Sequence, residues 1–213
     1  MFSKNEPKLL NRLIAFTLGQ FILALAVSIS IKSNLGISPV NSIPYVISLV
    51  SGIEQGLVTT TVFCVFILLQ IVILRKDFRK VDLCQVFCAS LFGYFVTVTN
   101  RLLSSIPSPE SYPIRIVFLL ISILLIAVGI LTYLSAELIS QPAEGLCLAI
   151  SSKWSREYHK VKVAFDCSLV TIAATLALVF EGKLVGVREG TFVTMIGVGW
   201  TIGVIKKLMR KII

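Results

Sequence analysis

Five stretches of this chain run long without a charged side chain: Leu13–Ile31, Leu57–Leu74, Leu83–Asn100, Ile116–Ala136 and Gly190–Ile205. A sixth, Val163–Phe180, carries one carboxylate, Asp166. Crossing the hydrocarbon core of a bilayer takes about 20 predominantly apolar residues as a helix and only about 9–11 alternating ones as a barrel strand. In apolar surroundings each helix satisfies its own backbone groups, so these runs are read as six transmembrane helices. Only 15% of the 213 residues are charged, and mean hydropathy is +0.92. That is too few charges to wet the outside of a soluble domain and too few cysteines for a disulfide scaffold.

The segment Ser33–Ile53 is also uncharged, but Gly36, Pro39, Pro44 and Gly52 punctuate it. Each proline removes a backbone donor and leaves a carbonyl unmatched. The segment is therefore read as a short helix from Pro39 to about Ser51, re-entrant or lying at the interface. With six spans, fifteen of the twenty Lys and Arg fall on one face, in clusters such as Arg75–Lys80 and Lys206–Lys211. The positive-inside rule then puts both termini in the cytoplasm and the chain in the cytoplasmic membrane. Lys4, Lys8 and Arg12 ahead of an apolar run resemble the start of a signal peptide. The run continues past Ala26 to Ile31, so the first helix is expected to stay.

The halves run in parallel. Ala26-Val27 answers Ala127-Val128, Leu35 answers Leu138, and Ser38-Pro39-Val40-Asn41 answers Gln141-Pro142-Ala143-Glu144. The last helix of each half aligns from Val81 and Val187 to Gly93 and Gly199. Three spans per half is an odd number, so the second copy would be inverted. The expected fold is all-α: a single polytopic domain over residues 1–213, made of inverted three-helix repeats (about 11–103 and 115–208), each with a short proline-containing helix. Secondary transporters built this way hold solute where paired broken helices meet.

The Lys-Ser-Asn-Leu-Gly-Ile-Ser-Pro stretch (Lys32 to Pro39) and the Gln-Pro-Ala-Glu-Gly stretch (Gln141 to Gly145) give the whole chain a resemblance to the YczE/YyaS/YitT family of bacterial integral membrane proteins. That family carries a Ser-Pro-Trp-Asp-like turn in its first half and a Gly-Pro-Arg-Asp-Gly-like turn in its second. Here Val40 and Asn41 stand where Trp and Asp would be, and Ala143 and Glu144 where Arg and Asp would be. One acidic residue of the pair is left. The resemblance implies fold and compartment rather than an activity.

Ser38 before Pro39 has the grammar of an N-cap followed by proline at the first helical position, which puts Asn41 at the third. Glu144 holds the third position after Pro142. One reading is that these residues finish helix ends. The other is that two helix N-termini, with Ser38, Asn41, Ser42, Gln141, Glu144 and Gly145, bind a small anionic or zwitterionic solute through free N–H groups. Asp166 either pairs with Lys162 one turn earlier or, with Glu144 and Glu137, couples transport to an ion. Glu137 has the plainer reading of a solvated residue at headgroup level, and Lys32 that of a snorkelling side chain.

The cysteines Cys64, Cys84, Cys88 and Cys167 lie in apolar runs and Cys147 in a semi-apolar loop, with no C-x-x-C pair, and are read as buried free thiols. With one histidine, His159, metal ligands are too few, and neither a metal nor a cofactor is expected. The basic clusters are assigned to anionic lipid rather than nucleic acid. Small residues at Ala15 and Gly19, and at Gly199 and Gly203, are read as helix-packing faces. No nucleotide-binding or hydrolase string occurs, so an enzyme is not expected. Two functions remain: a small-solute transporter or exporter working by alternating access, and a membrane accessory protein that binds a lipid or protein partner and moves nothing. The sequence leaves the oligomeric state open, a homodimer being compatible with it.

Overall fold

The computed structural model describes residues 9–212, and these are helical with no strand. The basic residues Lys4 and Lys8 lie outside them. Eight helices follow one another: α1 (Leu9–Ser33), α2 (Pro39–Ser51), α3 (Gln55–Leu74), α4 (Gln85–Ser104), α5 (Tyr112–Ser135), α6 (Pro142–Lys153), α7 (Tyr158–Glu181) and α8 (Glu189–Ile212). All but α2 and α6 are long and apolar enough to cross a membrane. Each expected run falls on one of these six, although Leu83 and Cys84 precede α4 and Ala136 follows α5. Polar and aromatic residues outside the apolar stretch extend several of them; Tyr112 and Tyr158 open α5 and α7.

The helix α2 occupies the expected range. Pro39 sits at its first turn, where no N–H is needed, and Gly52 closes it at φ 71°, donating its N–H to Ser48. Pro44 lies inside the helix without ending it. The break falls earlier, at Asn34–Ser38, where Asn34 and Gly36 take positive φ. The helix α6 begins the same way, on Pro142 after the left-handed Glu137.

Close crossings are made by small residues. On α1, Gly19 lies against Tyr133 of α5, and Leu23 lies against Gly129. Gly56 of α3 and Gly93 of α4 meet so closely that a Cβ on either would overlap the other's carbonyl. The expected packing at Gly199 and Gly203 is not found, since a Cβ at either meets nothing within 4 Å. The helix α8 packs chiefly on α5, and it leaves that face open. Cys88 and Cys147 are buried as expected, but Cys64 is half-buried, and Cys84, in the turn just ahead of α4, and Cys167, on an outward face of α7, are exposed.

Chain order and contacts fix the ends of the bundle. At one end Gln70 of α3 bonds Gln85 of α4, and Arg12 of α1 bonds the carbonyls that follow α5. At the other, Ser28 of α1 bonds Thr99 and Asn100 of α4, Asn100 bonds Gln55 of α3, and Lys32 bonds Ile106. Each short helix packs on a long helix of the other half: α2 on α7 and α6 on α3. Both feed one apolar core, in which Ile43 and Val46 of α2 and Ala143 and Leu146 of α6 join Phe63, Phe66 and Phe92.

Candidate functional site

The residues singled out from the sequence fall into two polar clusters. Around the start of α6, Gln141 Nε2 donates to Gln20 Oε1 at 2.9 Å, and Gln20 Nε2 donates to Cys88 Sγ at 3.1 Å. The Tyr133 hydroxyl donates to the Glu144 carboxylate. Burial raises the Glu144 carboxyl above its ordinary value, against the Tyr133 hydroxyl, the Lys162 charge and the Gln141 backbone N–H, which favour the charged form. A carboxylate at the third position is one half of a capping box, and the other half is missing, since the Gln141 side chain bonds Gln20 and not the first turn. Lys162 and Asp166 of α7 also act on Glu144 through their charges.

Gly145 explains how α6 seats so tightly. Beneath it, Gln70 and Gln85 exchange hydrogen bonds at 2.9 and 3.2 Å, and Gln70 Nε2 also donates to the Pro142 carbonyl at 3.1 Å. A Cβ on Gly145 would stand 2.7 Å from Gln70 Oε1 and 2.8 Å from Gln85 Nε2. Gln20, Gln70 and Gln85 are all buried, and buried amides persist where their polar atoms are matched. Reading the sequence by charge passed over these neutral residues.

Lys162 Nζ donates to Asp166 Oδ1 at 2.6 Å, so the one-turn pair is formed. Asp166 is only 9% exposed while the Lys162 side chain is 28% exposed, which makes it a half-buried pair rather than a surface one. Glu137 stands apart from the carboxylates it was grouped with. Its side chain is exposed, and its carbonyl accepts from Arg12 Nη2 at 2.6 Å.

The second cluster lies at the start of α2. Asn41 Nδ2 donates to Ser38 Oγ at 3.0 Å, and Ser42 Oγ donates to the Pro39 carbonyl at 2.6 Å. The loop ahead of it rests on the start of α8: Ile37 N–H donates to the Gly186 carbonyl, Gly190 N–H to that of Leu35, and Arg188 Nη1 to that of Asn34. Among the described residues no hydrogen bond joins this cluster to the one at α6. They sit toward opposite ends of the bundle, because α8 starts where α1 ends, and the Gln70–Gln85 pair lies where α3 ends and α4 starts. An open cleft of about 610 Å³ lies elsewhere, between α7 and α8, lined by Val170, Ala174, Leu178, Arg188 and Phe192 among others.

Six membrane-length helices, two short proline-started helices and polar clusters held at their first turns define a multi-pass α-helical membrane protein. The chain belongs to the family of unknown function DUF6198, whose profile matches residues 10–207. It is also similar to the uncharacterised protein YyaS of Bacillus subtilis (strain 168), at 25% identity over 173 residues, covering 79% of this chain and 81% of that protein. The resemblance carried by the two proline turns is thereby shown. No solved structure matches the chain.

Proposed function

We propose that the chain is a small-solute secondary transporter of the cytoplasmic membrane, built of two inverted halves that work by alternating access with both termini in the cytoplasm. The observation that carries this reading is the reciprocal packing of the short helices, α2 on α7 and α6 on α3, with their first turns toward opposite ends of the bundle. Helices that end inside protein present N–H groups to a solute, and rocking one half on the other exposes each end in turn. Glu144 is the group through which a proton would couple. It is paired with a tyrosine hydroxyl rather than a cation, and it lies within the field of Lys162 and Asp166. The solute path runs between Ser38, Asn41 and Ser42 at one end and Gln141, Glu144 and Gly145 at the other.

Uptake by protein-containing vesicles tests the proposal, with radiolabelled amino acids, hydroxy acids, dicarboxylates and polyamines as probes. Uptake of one class above protein-free vesicles, lost in Glu144→Gln, supports it. Uptake equal to protein-free vesicles across the whole panel overturns it.

One observation favours the accessory reading. The open face of α8 around Gly199 and Gly203, with Trp200 72% exposed beside it, offers a surface on which another membrane helix can pack. A homodimer through that face is compatible with either function.

A further inference from the structure

The starts of α2 and α6 are built alike but filled differently. Both helices open on proline, and the third position of each turns its side chain back toward the cap residue. In α6 that position is Glu144, whose carboxylate faces the helix N-terminus with the Tyr133 hydroxyl on its other side. In α2 it is Asn41, and the first turn contains no acidic residue. Ser38 gives no cap hydrogen bond to the first-turn N–H groups, its hydroxyl being engaged with the Asn41 amide. The positive end of α2 therefore lacks the anion that α6 carries within its own sequence.

A second observation at the same place stands apart from the helix end. Asn41 is 7% exposed, and its Oδ1 has no hydrogen-bond partner. The amide lies back over the first turn, with Nδ2 3.0 Å from Ser38 Oγ. A half-turn of the amide exchanges its ends: Ser38 then donates its hydroxyl to Oδ1, and Nδ2 becomes the unmatched atom. In both orientations one polar atom of Asn41 is held dry beside the helix start, and a buried polar atom without a partner is costly. Pro39 has no N–H and that of Asn41 is bonded to the Ser38 carbonyl at 3.0 Å, so the second orientation sets a side-chain donor beside the Val40 N–H.

We propose that the N-terminus of α2 binds the carboxylate of a small organic acid in the place that the Glu144 carboxylate takes at α6, with Asn41 Nδ2 donating to one oxygen and the Val40 N–H, the first-turn donor that neither Pro39 nor the Asn41-to-Ser38 backbone bond removes, to the other. This names the solute class for the transport reading and rests on α2 being part of the solute path. Glu144 is the internal copy of the ligand, and it supplies the test. An acidic side chain at position 41 fills the site from within.

The experiment measures binding by the full-length protein in detergent, by isothermal titration and thermal shift. The probes are two- to six-carbon monocarboxylates, with the matching primary amides and amines as controls. Wild type is expected to bind at least one carboxylate and to bind its amide at least tenfold more weakly. Asn41→Asp is expected to melt higher than wild type without ligand and to lose the binding. Asn41→Ala, which removes the donor without filling the site, is expected to bind at least tenfold more weakly and to gain no stability. Amides bound as tightly as their acids, or Asn41→Asp binding like wild type, would overturn the proposal, as would no binding of any carboxylate by a folded wild-type protein. Carboxylate binding without vesicle uptake would remove the transport reading and leave this site standing. Uptake confined to amines would remove this site and leave transport.

Discussion

Asn34 and Glu137 take the same left-handed backbone, at φ 51° and 48°, and each offers its carbonyl to an arginine from another part of the chain. Arg188 Nη1 lies 2.9 Å from the Asn34 carbonyl, and Arg12 Nη2 lies 2.6 Å from that of Glu137. Both residues stand at the turn between a long helix and a short one, where the chain leaves helical geometry and loses its own hydrogen bonds. A hydrogen bond from a charged donor contributes roughly 1.5–3 kcal/mol, which is about a tenfold to hundredfold change in local opening. Arg188→Gln is therefore expected to speed amide exchange about tenfold or more in the segment 34–38 and to leave 137–141 unchanged. Arg12→Gln does the reverse. Hydrogen exchange read by mass spectrometry decides it, and equal acceleration of both segments by either variant would refute separate latches.

The glycines divide by what surrounds them. A Cβ at Gly56 overlaps backbone of α4, which cannot move aside as a side chain can. Gly56→Ala is expected to cost about 1–3 kcal/mol or more, the usual range for overpacking. Gly145→Ala presses on the ends of two amide side chains, and its cost falls at the lower end of that range. Gly203→Ala meets nothing, so it is expected to stabilise by about 0.5–1 kcal/mol through helix propensity alone. Melting temperatures in detergent rank the three. Destabilisation by Gly203→Ala would reveal a helix seated on α8.

The spans were legible because charge is expensive in hydrocarbon, and its absence over some twenty residues matches the length a helix needs to cross. Pro39 and Pro142 marked both short helices, since proline at a first turn follows from one backbone rule. The partners inside the site were not legible. Gln20, Gln70, Gln85 and Tyr133 are neutral residues in apolar helices, and nothing in their spacing says which face meets which neighbour. Arg12 and Arg188 entered the sequence argument as charges to be counted by side, whereas each closes a turn far away along the chain. Gly199 and Gly203 show the converse. The spacing announces a packing face, but the helix that would occupy it is not one of this chain's described helices.

The Lys162–Asp166 pair yields a prediction that a surface pair would not. With Asp166 9% exposed, removing the ammonium leaves a charge in a low-dielectric place. Lys162→Met is expected to cost about 1–3 kcal/mol, because water reaches the half-buried pair from the Lys162 side, and the double variant Lys162→Met with Asp166→Leu to recover most of it. Thermal melts of the two variants check this. A single variant within about 0.5 kcal/mol of wild type would place the pair in solvent.

Tyr133 and Glu144 couple α5 to the first turn of α6, and the two substitutions that break the pair differ in what they leave behind. Tyr133→Phe keeps the ring, 1% exposed in the wild type, and removes the hydroxyl, so the half-buried Glu144 carboxylate loses that donor. A cost of about 1–3 kcal/mol follows, because the hydrogen bond lost is one to a charged group. Glu144→Gln keeps an acceptor for the hydroxyl and removes the charge, and is expected to cost less than Tyr133→Phe. Thermal melts of both variants and of the double variant measure the coupling. The double variant should fall short of the summed single costs, as residues sharing one hydrogen bond do. Additive costs would mean that the two side chains contribute independently, and Glu144 would then be held at α6 by the helix N-terminus alone.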